Sequence, residues 1–145
     1  VGEDMQTSEE GVFACGNVLH VHDLVDYVSA ESERAGKSAA KYVLGTAVTE
    51  KDKLNVNGGL NVGYTVPQRI NRANVEKGVD IFFRVRKKIR VGEIRVESNG
   101  EKIASFKREF LAPAEMEKIT VPKVLLDRAN GSITVSAIES EEEAK

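Results

Sequence analysis

From Val79 the chain alternates. Val79-Asp80-Ile81-Phe82-Phe83-Arg84-Val85-Arg86 and Ile89-Arg90-Val91-Gly92-Glu93-Ile94-Arg95-Val96 put a β-branched or aromatic residue at close to every second position. A period of two places those residues on one face of a pleated strand and leaves the charged residues on the other. Ser98-Asn99-Gly100 predicts a tight turn before a strand from Lys102 to Phe110, Lys118 to Leu126 continues the series, and Asn130-Gly131 predicts a second turn before Ser132 to Glu139. With Leu60 to Val66 included, about six short strands follow one another with no long helix between them, which predicts an antiparallel β-sandwich or partly open barrel of immunoglobulin-like size. Phe82, Phe83, Phe106 and Phe110 stand at strand spacing and are core candidates. A chain of 145 residues has room for one domain, or for a domain and a piece of another, but not for a complete two-domain cofactor enzyme.

The first part of the chain follows another grammar. Gly11-Val12-Phe13-Ala14-Cys15-Gly16 is a short apolar run bounded by glycines and predicts a buried strand. From about Asp23 to Leu44, Leu24, Val28, Ala35, Ala39 and Val43 recur at four- or seven-residue intervals, interrupted by Glu31-Ser32-Glu33-Arg34, and predict a long helix with Asp23 as N-cap and Gly45 as its stop. The expected fold class is therefore α+β, with boundaries at 1–45 for the strand, turn and helix, 46–59 for a linker rich in Thr, Lys, Asn and Gly, 60–139 for the β domain, and 140–145 for a frayed charged tail. A first residue Val1, with Met5 inside an acidic turn-like stretch, suggests a piece cut from a longer protein. A processed or tag-trimmed small protein is the alternative.

Composition removes several classes of function. Twenty-one basic against 23 acidic residues give a formal charge of −2, so no overall field points to nucleic acid. The charge at Arg84, Arg86, Lys87, Lys88, Arg90 and Arg95 alternates with apolar residues and lacks the interleaved stacking aromatics of a nucleic-acid surface, the pattern of a solvated hairpin face, with a docking patch for an acidic partner as the alternative. No apolar run approaches the roughly 18–20 residues that span a bilayer, and the amino end lacks a signal-peptide layout, so a cytoplasmic location without membrane insertion is expected. A single cysteine, Cys15, allows neither an internal disulfide nor a redox pair, and inside an apolar strand it would be an inert small hydrophobe. His20 and His22 have no further histidine and no thiolate at supporting spacing, so no metal site is expected from them, and surface or ligand-proximal positions are. Gly36-Lys37-Ser38 falls within the predicted helix instead of opening one, which excludes a phosphate-binding loop.

A strand that ends in glycine and a polar residue at a helix entrance allows backbone amides to approach a ligand closely. Here Thr7-Ser8-Glu9-Glu10-Gly11-Val12-Phe13-Ala14-Cys15-Gly16-Asn17-Val18, with its following helix, resembles the last flavin-contacting element of the thioredoxin reductase and glutathione reductase type of pyridine nucleotide-disulfide oxidoreductase. The segment Ala14 to Asp26 is also similar to a bacterial subgroup associated with a glycerol-3-phosphate dehydrogenase-like flavoprotein. The resemblance covers about residues 1 to 44. It implies FAD in the intact parent and NAD(P) as co-substrate, with the remainder of the flavoprotein and a glycerol-3-phosphate dehydrogenase-like subunit as candidate partners. It places Gly16, Asn17 and Val18 beside the ribityl chain, and the entrance residues His22, Asp23 and Leu24 beside the flavin pyrimidine ring. Asn17 stands where the family has aspartate, so a hydrogen bond survives there without its charge. The Gly-x-Gly-x-x-Gly loop that would hold the pyrophosphate is absent, so the piece alone is expected neither to hold FAD nor to turn over.

A simple turn at Gly16-Asn17 is the competing local reading. The competing function is a β-sandwich that docks a partner or closes a dimer without catalysis. In either case the apolar face of the helix must pack on the β domain, self-associate or remain mobile.

Overall fold

The structure is a computed structural model describing residues 1–140, so all but the first residue of the expected tail lies outside it. Its long helix, α1, spans Val25–Val43. Eight strands follow: β1 Lys53–Gly58, β2 Val62–Val66, β3 Arg69–Asn71, β4 Gly78–Val85, β5 Ile89–Ser98, β6 Glu101–Leu111, β7 Glu117–Pro122 and β8 Ser132–Glu139, with a one-turn helix α2 at Lys123–Leu126. They form a five-stranded sheet in the order β3-β1-β8-β5-β6 and a three-stranded sheet in the order β2-β4-β7. Every pairing is antiparallel except that of β1 with β8.

The alternation at 79–96 becomes β4 and β5 as expected, and the period of two decides which sheet face each residue serves. Ile81 and Phe83 enter a core they share with Leu54, Ile70, Ile94, Val96, Ile133 and Val135, so both sheets contribute to one apolar interior. Phe82 points to the opposite face of the three-stranded sheet and meets Tyr27 of α1, ring centroids 5.5 Å apart. Both predicted turns form, with Asn99, Gly100 and Gly131 at positive φ.

Five expectations change. The linker at 46–59 contains β1, because Leu54 and Val56 alternate inward between β3 and β8 and are buried in the core. Among the described residues seven strands, β2 to β8, fall within 60–139 where about six are expected. No strand forms at 11–16. Positive φ at Met5, Gly11 and Gly16 turns the chain back on itself, leaving a single bridge between Gln6 and Phe13, with Thr7 N–H donating to Val12 O and Ala14 N–H to Met5 O. The strand predicted at Lys118 to Leu126 stops at Pro122, and α2 follows. Phe110 is 69% exposed, with φ 57°, and is no core residue.

Helix α1 settles the packing question for the described chain. Its inward stripe runs through Glu31 and Ala35, and Ala35 joins Val1, Met5 and Val66 in a second, small apolar cluster on which Cys15, Leu19 and Tyr64 also pack. Arg34 reaches Asp80 of β4 at 4.0 Å. The helix thus lies over the outer face of the three-stranded sheet. Gly36, Lys37 and Ser38 lie inside α1 as expected, and no helix among the described residues is long and apolar enough to cross a membrane.

Candidate functional site at the entrance of the long helix

The segment between Gly16 and Leu24 has an inward side and an outward side. Residues two apart in an extended segment point the same way. His20 and His22 do so, and both rings are buried. They meet the carboxylate of Glu31, two turns into α1: Nε2 of His20 is 2.6 Å and Nε2 of His22 is 2.8 Å from Glu31 Oε2. The other carboxylate oxygen, Oε1, accepts the backbone N–H of Gly16 at 2.8 Å. One buried side chain therefore holds the start and the end of the loop against the helix.

Aromatic rings close the cluster. Phe82 stands edge-on to both imidazoles with centroids at 6.1 and 5.0 Å, Tyr64 flanks His20 and Tyr27 flanks His22. The Nδ1 atoms of both histidines are buried without a hydrogen-bond partner. Burial pushes the Glu31 pKa up, yet the hydrogen bonds from His20, His22 and the Gly16 amide outweigh it and hold the pKa at about 2. Glu31 is thus a carboxylate across the ordinary pH range, and no lysine or arginine pairs with it among the described residues.

The outward side has different chemistry. Gly16 opens a single 3-10 turn, Gly16–Val18, at φ +69°, with nothing within 4 Å of where a Cβ would stand. Asn17 is exposed and Val18 is 83% exposed, followed by exposed Val21, Leu24 and Val25. Leu24 is the N-cap of α1, and no capping side chain hydrogen-bonds to the helix's first amides. Asp23, expected to cap, turns away instead. Its Oδ2 accepts the Met116 N–H at 2.5 Å and its Oδ1 accepts from Arg84 at 2.7 Å, which together hold its pKa below the usual carboxylate range.

The six expected flavin-contacting residues therefore separate. Gly16, Asn17, Val18 and Leu24 lie on or beside the accessible side, whereas the side chains of His22 and Asp23 are committed within the chain and leave only their backbone to a ligand. His20 and His22 are not surface residues. Spacing to histidine and thiolate alone leaves them without a third group, because the group that joins them is a carboxylate. The available clue was that Glu31 falls on the same helical face as Val28 and Ala35, where a charge requires a buried partner.

Arg84, Arg86, Lys87 and Arg95 of the basic stretch are committed as well. Arg84 joins Asp23 and the carbonyls of Val21 and Ala114, Lys87 pairs with Glu139 at 2.6 Å, Arg95 pairs with Glu93, and Arg86 donates to Val62 O.

No family model, curated protein or solved structure matches this chain.

Proposed function

We propose that the chain is the carboxyl-terminal part of an FAD-dependent NAD(P)H oxidoreductase, in which residues 16–25 meet the flavin and the β unit is an appended β-sandwich. The observation that carries this reading is the two-sided loop at the helix entrance. Its back is fixed by Glu31, while its front offers uncapped helix amides and Asn17 among bare Val18, Leu24 and Val25.

That donor set fits a flavin. The first amides of α1 suit a carbonyl-bearing edge, the exposed Asn17 amide suits a hydroxylated chain, and the valines and Leu24 suit an apolar ring face. Gly16 leaves room for close approach because no side chain intervenes. Bound FAD would supply hydride acceptance from NAD(P)H and onward electron transfer. The residues of this chain would bind and orient it and exclude water from one side. The apolar core shared by the two sheets supports the sandwich reading of the β unit.

The test is to express the complete reading frame that encodes this chain and record its visible spectrum before and after addition of NADH or NADPH. A flavin band bleached by the nucleotide is the expected result. A colourless protein that does not oxidise either nucleotide overturns the proposal.

A second reading rests on β6. This edge strand spans 11 residues, Glu101–Leu111, and leaves Phe110 bare, which favours a β module that docks a partner or closes a dimer without catalysis. A monomer whose behaviour is unchanged by Phe110→Glu, and which captures no partner, would remove it.

A further inference from the structure

We propose that His20, His22 and Glu31 form a structural site for one divalent first-row metal ion of the zinc class. The three donors converge, with one ligand atom from each within 4.8 Å of the others, and all three residues are at least nine-tenths buried. Two imidazoles and a carboxylate are a donor set that zinc accepts, at bond lengths of roughly 2.0–2.2 Å. The Nε2–Oε2 separations of 2.6 and 2.8 Å are hydrogen bonds, and they would open to roughly 3.3 Å as those bonds are exchanged for bonds to an ion.

Charge favours a cation here. An ionised carboxylate out of water without a permanent cationic partner is costly, and it calls for a countercharge. A dication supplies it. Ligation through Nε2 moves the proton of each ring to Nδ1, which has no acceptor among the described residues, a cost that the bonds to the ion must exceed.

The site's closure decides its role. The side chains of His20, His22 and Glu31 are 3%, 0% and 5% exposed, and Phe82, Tyr27 and Tyr64 surround them, so no open coordination position faces solvent or substrate. With both Glu31 oxygens the cluster offers four donor atoms, the number a closed zinc site uses. Oε1 can keep the Gly16 amide on its remaining lone pair. Such an ion would fasten residues 16–22 to α1 whether or not the outward side meets a flavin, so this inference does not depend on the proposed function.

The chain has two histidines, so imidazole ligation reports on this site alone. The chain is stripped with a chelator, titrated with Co²⁺ and Zn²⁺, and followed by visible absorption, imidazole proton resonances and thermal melting. One equivalent of Co²⁺ should give the intense visible bands of a low-coordinate site, displaced by Zn²⁺. Zn²⁺ should shift both histidine resonances and raise the melting temperature. Glu31→Gln and His22→Gln should weaken Zn²⁺ by more than the roughly 10–100-fold that loss of an outer-shell partner costs. The wild-type measurement stands even if those variants fold poorly. A Co²⁺ spectrum unchanged from the aqueous ion, with histidine resonances and melting temperature indifferent to Zn²⁺, overturns the site.

Discussion

Asp23 and Arg84 meet at 2.7 Å across 61 positions of sequence, joining the loop before α1 to the end of β4. The same guanidinium reaches Val21 O at 2.8 Å and Ala114 O at 2.6 Å, and Asp23 also takes the Met116 amide. The contact thus ties the helix entrance to two parts of the β unit. Side-chain exposures of 21% for Arg84 and 39% for Asp23 reduce its strength by solvent screening. A double-mutant cycle with Asp23→Ala and Arg84→Ala should give a coupling of about 1 kcal/mol in denaturant unfolding. A coupling indistinguishable from zero would mean that the two groups meet without stabilising the join.

Glu3 gives a pH dependence of known sign. Burial pushes its pKa above the ordinary 4.5, only partly opposed by hydrogen bonds from the Asn71 amide at 2.8 Å and Asn74 Nδ2 at 3.0 Å. A raised folded pKa means that the protonated form is favoured by folding, so its contribution is present below the unfolded pKa and lost as pH rises through the folded value. Glu117 shifts in the same direction, also by burial, so the whole-protein curve cannot isolate Glu3. Comparison with Glu3→Gln can. The wild type should lose stability relative to that variant as pH rises above the ordinary carboxyl value of 4.5 in denaturant titrations. A constant difference between the two proteins would show that Glu3 titrates alike folded and unfolded.

The β unit was legible where one rule governed a whole segment. Alternation gave β4 and β5, and Asn-Gly pairs gave the turns at Asn99-Gly100 and Asn130-Gly131, because both effects are local. β1 was missed because Lys53-Leu54-Asn55-Val56-Asn57-Gly58 carries only two apolar residues between strand-poor asparagines. Its position comes from distant partners, β3 and β8, which a local pattern does not contain. Phe110 failed for the opposite reason: its spacing was right, but a left-handed backbone at the end of β6 turns the ring out.

At the site, the loop's position was readable from Gly16-Asn17 and the start of the helix, but its two sides were not. Glu31 read as a polar break in an apolar stripe. Only the fold, by placing His20 and His22 against that stripe, makes it the centre of a buried cluster.

Gly92 tests the pairing of β5 with β8. A Cβ there would collide with the Ile138 carbonyl oxygen and crowd the Ile89 side chain at 3.0 Å. The first obstacle is backbone of the neighbouring strand β8, at the end of its pairing with β5 where Gly92 faces Glu139, so it cannot move aside as a flexible side chain would. Gly92→Ala should therefore destabilise by about 2 kcal/mol, as overpacking does, despite alanine's lower entropy cost on folding. Equal or greater stability in thermal unfolding would mean that β8 shifts freely at that point.

The packing of α1 can be separated from the stability of the sheets. Ala35 and Met5 are 5% and 2% exposed and meet in the small cluster with Val1 and Val66, whereas the interior between the sheets is a different set of residues. In a dilute monomer, amide exchange should show strong protection through the inner turns of α1 around Glu31 to Ala39. Met5→Ala removes most of a buried side chain from beneath the helix and should cost about 2–4 kcal/mol locally. Protection should then fall across α1 while β5 and β8 keep theirs, because the cavity opens in the small cluster and not in the shared core. An equal fall in both would show that helix and sheets open as one cooperative unit. Fast exchange through α1 in the unaltered chain would mean that the helix does not hold its place on the outer face of the three-stranded sheet.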